Sequence, residues 1–282
     1  DLILRHRVKD YRAGDLEKRY QRLAIEEDCL VNYGFLPREH VALMHPRQAK
    51  RVWDADTQHK AADVLAYVQT HGPVHPRQVE QHFAHGNVTN YWGGSSSATT
   101  HLLDGMHYRG MLRVVRRDSG TRVYEAVAHP PTDDSPASRA QRAAALVALV
   151  VHKYAPLPAA SLTYLVRLLG YGAPHLSPQI QAALRLAKQE LASCQINGTT
   201  WYWPADENPA SRRHTPDGAV RLLAPFDPVV WDRRRFTLLW DWTYLSLTHI
   251  PEPTSPERLS YAVFCLNKKK SLSSNKTHQQ RA

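Results

Sequence analysis

Apolar and polar positions divide the chain into short elements that recur in a fixed order. Over residues 58–71, Ala61, Val64, Leu65 and Val68 repeat at helical spacing, and Gly72-Pro73 ends the run. His75-Pro76-Arg77 opens a short second helix that runs through Phe83. A polar loop, Asn87-Val-Thr-Asn-Tyr-Trp-Gly-Gly94, leads to a third predicted helix over Ser95–Gly110, with Leu102, Leu103, Met106 and Met111 as its inner stripe. Two strand-like runs follow, Met111–Arg116 and Thr121–Val127, joined by Arg117-Asp-Ser-Gly120, which has the residues a hairpin turn needs.

The order then repeats. Ser138–Tyr154 is a strongly apolar helix, Leu157-Pro-Ala-Ala-Ser161 starts a second that ends at Gly170, and Ser177–Leu191 is a third. Cys194–Trp203 reads as a hairpin, with Asn197-Gly198 as a type I′ turn signal. Three helices followed by a hairpin is the order of a winged helix-turn-helix, so the expected class is α+β with tandem units at 53–131 and 136–207. Residues 206–218 form a Pro/Asn/Ser/Arg-rich linker, and 219–264 carries strand-like pieces read as the start of a β-barrel-like domain. Residues 265–282 are expected to be a disordered basic tail, because they offer almost nothing to bury against the entropy of ordering. At the other end, Asp-Leu-Ile-Leu-Arg reads as the middle of an element, so residues preceding Asp1 are expected to be missing or removed.

Charge sharpens the picture. Thirty-six Lys and Arg against 26 Asp and Glu leave +10, which favours a polyanionic partner. Residues 266–282 contribute half of that through Lys268, Lys269, Lys270, Lys276 and Arg281. No run reaches the length of a membrane span, and the three cysteines, at 29, 194 and 265, are too scattered for a disulfide framework or a paired-thiolate zinc site. A cytoplasmic, nucleoid-associated monomer without membrane contact is the expectation.

Candidate DNA contacts follow from the helix-turn-helix order, in which the first turn of the third helix meets base edges and phosphates. That turn supplies Ser95, Ser96, Ser97, Thr99, Thr100 and His101. Small hydroxyls at a helix N-terminus suit phosphates rather than a base code. The wing adds Arg113, Arg116, Arg117 and Arg122. The alternative is that Ser95 caps the helix while the arginines solvate a hairpin. Tyr91-Trp92 either stacks on an unpaired base or plugs the gap between helices. His71, His75, His82 and His85 lack a further ligand at suitable spacing and are read as solvent-facing, with no metal. Glu26-Glu27-Asp28 is read as capping or solvating a neighbouring helix, with a place in a cleft as the alternative, and no glycine-rich phosphate loop, serine triad or nucleotide fingerprint appears, so no cofactor is expected.

The run Val220-Arg-Leu-Leu-Ala-Pro-Phe-Asp-Pro-Val-Val-Trp-Asp-Arg-Arg-Arg-Phe236 resembles the AlkZ/YcaQ-like DNA glycosylases, bacterial proteins with tandem winged helices and a terminal β-barrel. Asn32-Tyr-Gly-Phe-Leu-Pro37, Tyr91-Trp92, Gly110-Met-Leu with Val114 and Arg116, and Arg122-Val-Tyr124 are similar to the same family. The likeness extends over residues 1–264 and makes 1–52 the remnant of a first winged helix. It implies double-stranded DNA, alkylated or crosslinked, as partner, and hydrolysis of the N-glycosidic bond of damaged purines. The catalytic signature of that family is Gln-apolar-Gln or Gln-apolar-Asp, upstream of where this sequence starts, and no counterpart stands at that place. Gln179-Ile180-Gln181 has the letters but reads as the first turn of a late helix. A fragment lacking its catalytic motif is therefore expected, so whether these residues are themselves an enzyme stays open. The Pro225–Pro228 run is expected to be structural, with Phe226 and Trp231 packing, Asp227 and Asp232 bonding local amides, and Arg233–Arg235 facing phosphate. The competing readings are a winged-helix transcription regulator or non-catalytic DNA-binding module, which would favour a palindromic site, and a protein-interaction scaffold, which would show no salt-dependent DNA binding.

Overall fold

The computed structural model describes residues 2–89, 95–129, 133–213, 220 and 223–243. The protein is mixed α+β with small antiparallel sheets, and no barrel is found among the described residues. It divides into two compact units, residues 1–232 and 233–282.

The first unit opens with two short helices, α1 (Leu2–Arg5) and α2 (Asp15–Arg19), and a hairpin of β1 (Ile25–Cys29) and β2 (Tyr33–Pro37), followed by α3 (Arg38–Ala42). Glu26-Glu27-Asp28 thus lies in a strand, and Glu27 and Asp28 are buried, which corrects the reading of these acids as solvated. An extended segment leads to α4 (Ala55–His71), capped by Asp54, whose carboxylate accepts from Thr57 N at 2.8 Å. Next come α5 (Pro76–Phe83), capped by His75, then β3 (Asn87–Thr89), β4 (Ser95–Ser97) and α6 (Ala98–Tyr108). Ser95–Ser97 pairs antiparallel with Asn87–Thr89 rather than starting the helix, so the predicted helix is three residues too long at its N-terminus. Strands β5 (Leu112–Asp118) and β6 (Thr121–Ala126) close the hairpin through Ser119 and Gly120, both at positive φ, and Val74 bridges to Tyr124 at its edge. Tyr91-Trp92 lies outside the described residues.

The second three-helix run has α7 (Pro136–Tyr154), the two-residue β7 (Leu157–Pro158), α8 (Ala159–Gly172), α9 (Ser177–Glu190) and the hairpin β8 (Ala192–Ile196) and β9 (Thr199–Trp203). Ser135 caps α7 and Pro136 stands at its first turn, where its missing N–H costs nothing. Asn197 and Gly198, at φ 50° and 75°, make the turn that Asn-Gly predicts.

Two cores hold these elements. One joins Ala61, Val64 and Val68 of α4 to Val79, Leu103, Met106, Leu112, Val114 and Tyr124. The other joins Leu146, Val150, Leu162, Leu165, Leu169 and Leu184 to Leu30, Val31, Leu36, Val41 and Met44 from the N-terminal segment. After β9, the described residues up to 243 form turns and one helix rather than the expected strands. Phe226 is 65% exposed and does not pack as expected, whereas Trp231 packs against the second core and Asp227 accepts from Val229 N at 2.9 Å. Asp227 also takes both bonds of Arg7, at 2.7 and 2.9 Å. The second unit contributes α10 (Arg233–Trp240), with Phe236 stacked on Trp240 at 4.8 Å. The predicted tail lies outside the described residues.

Candidate nucleic-acid interface

The hydroxyl run and the wing were the predicted contacts, and most of their polar atoms are already engaged within the protein. Ser97 is the cap of α6: its Oγ accepts from Thr100 N at 3.3 Å and donates to Glu80 Oε2 at 2.6 Å. Thr99 is fully buried, with Oγ1 3.1 Å from His85 Nδ1. Hydrogen bonds from Ser97 and Thr99 hold the Glu80 carboxyl below its ordinary range. Ser95 and Ser96 lie in β4, and their side chains are outside the described set. Thr100 and His101 remain exposed on the first turn of α6.

On the wing, Arg113 binds Glu125 at 2.9 and 2.6 Å and lies 3.5 Å from Glu26. Arg116 forks onto Asp118 at 3.0 and 3.2 Å. Arg117 forks onto the buried Glu27 at 2.7 and 2.5 Å, and Tyr33 donates to the same carboxylate at 3.1 Å. Arg122 meets Asp104 at 2.7 Å and lies over the Tyr33 ring at 4.5 Å. Four guanidiniums therefore face five carboxylates, Glu26, Glu27, Asp104, Asp118 and Glu125, and the wing carries no local excess of positive charge.

A second group of cations gathers elsewhere, on a groove of about 870 Å³ between the segment before α4, the outer face of α6 and the C-terminal turn of α8. Lys50, Arg51, Lys60 and Arg109 line it together with His101, Trp53, Tyr108 and Tyr171, and Lys60 pairs with Asp56 at 2.6 Å. Lys50 and Arg51 are exposed and form no ion pair with any described residue. The acid of this lining, Asp54, caps α4 and keeps its negative charge, which offsets part of this cluster. The Arg109 guanidinium lies 3.6 Å from the Trp53 ring centroid and donates to Gly105 O at 3.1 Å and Arg51 O at 2.8 Å, which pins the basic segment onto α6. Gly105 makes this seat: a Cβ there would stand 2.8 Å from Trp53 Cζ2, so any larger residue would lift the indole off the helix. Of the predicted DNA contacts, only His101 lines this groove. The interleaving of cations and an aromatic in Lys50-Arg51-Val52-Trp53 was the available signal for the rest.

A buried junction holds the groove walls in place. Arg47, with its side chain fully enclosed, donates to Asp28 Oδ1 at 2.9 Å, to Tyr108 O at 2.5 Å and to Gly172 O. It therefore ties β1 to the C-terminal ends of α6 and α8. His45 Nε2 lies 2.7 Å from Asp28 Oδ2; because the carboxylate only accepts, that nitrogen carries the proton. Burial alone would raise the Asp28 carboxyl, but the His45 bond and the Arg47 charge outweigh it and hold the group below its usual range. Burial keeps His45 neutral by pushing its own pKa down. Tyr108 completes the wall by donating from its hydroxyl to Tyr171 O at 2.8 Å.

Among the described residues no cluster of His, Cys, Asp or Glu has the composition to hold a metal ion. Of the four clustered histidines, His71 stacks on Tyr67 at 4.0 Å, His82 lies tilted against the same ring at 4.6 Å, His85 stacks on Phe83, and His75 caps α5. Gln179-Ile180-Gln181 sits in the first turn of α9: Ile180 is in the core, and Gln179 lines a separate, mainly apolar cavity of about 690 Å³ between α7 and α9.

An α+β body with free cations and aromatic rings on one groove has the surface chemistry of a nucleic-acid-binding protein. The family comparison names the particular kind: the model of the DNA glycosylase AlkZ-like family matches residues 1–256, and the chain belongs to that family. Membership brings a DNA-repair, glycosylase-like function and DNA as partner. No solved structure matches the chain. Among the described residues no helix is long and apolar enough to cross a membrane.

Proposed function

We propose that these residues form the DNA-binding body of a glycosylase acting on the N-glycosidic bond of alkylated or crosslinked purines. In this reading they bind duplex DNA as a monomer, associated with the nucleoid, through the groove beside α6. The two runs of three helices and a hairpin are read as winged helices. The edge bridge from Val74 to Tyr124 and the type I′ hairpins support that assignment. Thr100 and His101 at the first turn of α6, and Arg116 at the exposed end of the wing, add contacts along the backbone.

The observation that carries the reading is the convergence of Lys50 and Arg51, which form no ion pair with a described residue, with Arg109 and His101 on one groove. Phosphates that replace counterions there make affinity fall steeply with salt. Base release needs more. A purine alkylated at N7 is positively charged and leaves readily, so the enzyme must orient a water and stabilise an oxocarbenium-like sugar with a carboxylate or amide. Glu27 and Asp28 are spent on arginines, Tyr33 and His45, and Gln179-Ile180-Gln181 is the first turn of α9, away from the groove, with Ile180 in the core. These 282 residues are thus assigned binding with little base release.

The test is fluorescence anisotropy on a mixed-sequence duplex between 50 and 200 mM salt, alongside a base-release assay on DNA containing N7-methylguanine. Lys50→Ala with Arg51→Ala should lower the slope of log affinity against log salt by about 2, roughly one per phosphate contact. Affinity indifferent to salt and to both substitutions refutes the groove. Efficient base release refutes the restriction to binding.

A further inference from the structure

The aromatic side of the groove has no role in holding a duplex. Paired bases cover each other's faces and offer a protein only their edges and the backbone. Yet Tyr171 stands at the lip of the groove 62% exposed, and its ring stacks on no other described ring. Its backbone carbonyl is what Tyr108 binds, so the ring is projected from a turn that is itself fixed. Two turns earlier on the same outer face of α8, Tyr164 is 41% exposed, with the Arg167 guanidinium 5.7 Å from its ring. Thr163, Tyr164, Arg167 and Tyr171 form the solvent face of α8, while Leu162, Leu165, Val166 and Leu169 form its buried face. No acid lies anywhere in α8.

We propose that the groove and the outer face of α8 form a track for an unpaired DNA strand. Lys50, Arg51 and Arg109 hold its phosphates, and Tyr171 and Tyr164 stack on its bases. Seven residues of helix separate the two rings, roughly 10 Å along the axis at 1.5 Å per residue. That is about three steps of a stacked strand at roughly 3.4 Å each. Arg167, between the rings, meets the backbone of the same strand. The track rests on the proposed DNA-binding groove and adds to it a distinction between paired and unpaired DNA.

Anisotropy with a labelled oligothymidylate of 15 nucleotides and with a 15-base-pair duplex tests this, using the full chain at one salt concentration. Tyr171→Ala should weaken single-strand binding about tenfold, and Tyr164→Ala with Tyr171→Ala more, since a stacked base contributes on the order of 1–3 kcal/mol. Duplex affinity should fall by a clearly smaller factor than single-strand affinity. Tyr171→Phe, which keeps the ring and loses only the hydroxyl, should retain wild-type single-strand affinity. Equal losses on both DNAs, or none on the single strand, overturn the track. Duplex binding without any single-strand binding overturns the track alone, whereas binding of neither DNA removes the groove as well.

Discussion

Removing the Asp28 carboxylate tests whether the buried junction holds the groove walls together. In Asp28→Ala the fully enclosed Arg47 keeps its charge but is left with the carbonyls of Gly172, Tyr108 and Cys29, and His45 Nε2 loses its acceptor. Breaking one side of a buried ion pair costs about 3–5 kcal/mol, because an uncompensated charge stays in a medium that solvates it poorly. For a folded unit of this size each kcal/mol moves Tm by roughly 2–4 °C, so Tm should fall by roughly 6–20 °C. Asp28→Ala with Arg47→Met removes both charges and should recover a large part of the loss, giving strong non-additivity in a double-mutant cycle. Thermal and urea unfolding followed by circular dichroism at neutral pH measure both. A single-variant loss under about 1 kcal/mol, or a double variant no more stable than the single, would refute the argument that this pair organises the junction.

Arg117→Ala should act on stability before it acts on DNA, since it strips the fork from Glu27, which is 1% exposed. A loss of about 1–3 kcal/mol with an unchanged salt slope for duplex binding is expected, and the reverse pattern would return Arg117 to the DNA surface. Acid should weaken the fold in a defined window. Burial, helped by Arg142, Arg139 and Arg47, pushes His175 down to about 4 from 6.5. Between those values the native state binds fewer protons than the unfolded chain, so stability declines as pH drops through the window. The depressed Asp28 carboxyl adds a loss in the same direction, beginning near its unfolded value of 3.8 and continuing to lower pH. His175→Gln should flatten the Tm profile between pH 6.5 and 4; an unaltered profile would show that another group controls it.

The helices and hairpins were legible because each answers to a local signal. Val64 and Val68 mark the inner face of α4, Gly72 stops it, and Asn197-Gly198 dictates its own turn. Ser95–Ser97 was misread because a run of serines suits a helix start or an edge strand equally; only its partner Asn87–Thr89 decides, and pairing is not a local property. Charge was misread for the same reason. Glu27 and Asp28 look solvated beside Glu26, yet their partners Arg117 and Arg47 stand 90 and 19 residues away. Three of the wing arginines looked free because the acids that neutralise them come from β1, α6 and the opposite strand, whereas the partner of Arg116, Asp118, stands two residues away on its own strand. Lys50 and Arg51 were overlooked since a basic pair in a linker has no periodicity to draw attention to it, and the groove exists only once α6 and Tyr171 close around it.

The second core draws Leu30, Val31, Leu36, Val41 and Met44 together with α7, α8 and α9, while the whole run from α4 to β6 lies between them in sequence. During synthesis the early apolar side chains therefore wait until residues beyond Ala143 have been made, about a hundred residues later. At roughly 5–20 residues per second this is an interval of about 5–20 s. The intervening run has a core largely its own and can fold within that interval, so the order of assembly is middle first and the two ends together afterwards. For those seconds Leu30, Val31, Leu36, Val41 and Met44 lack the partners that cover them in the finished core.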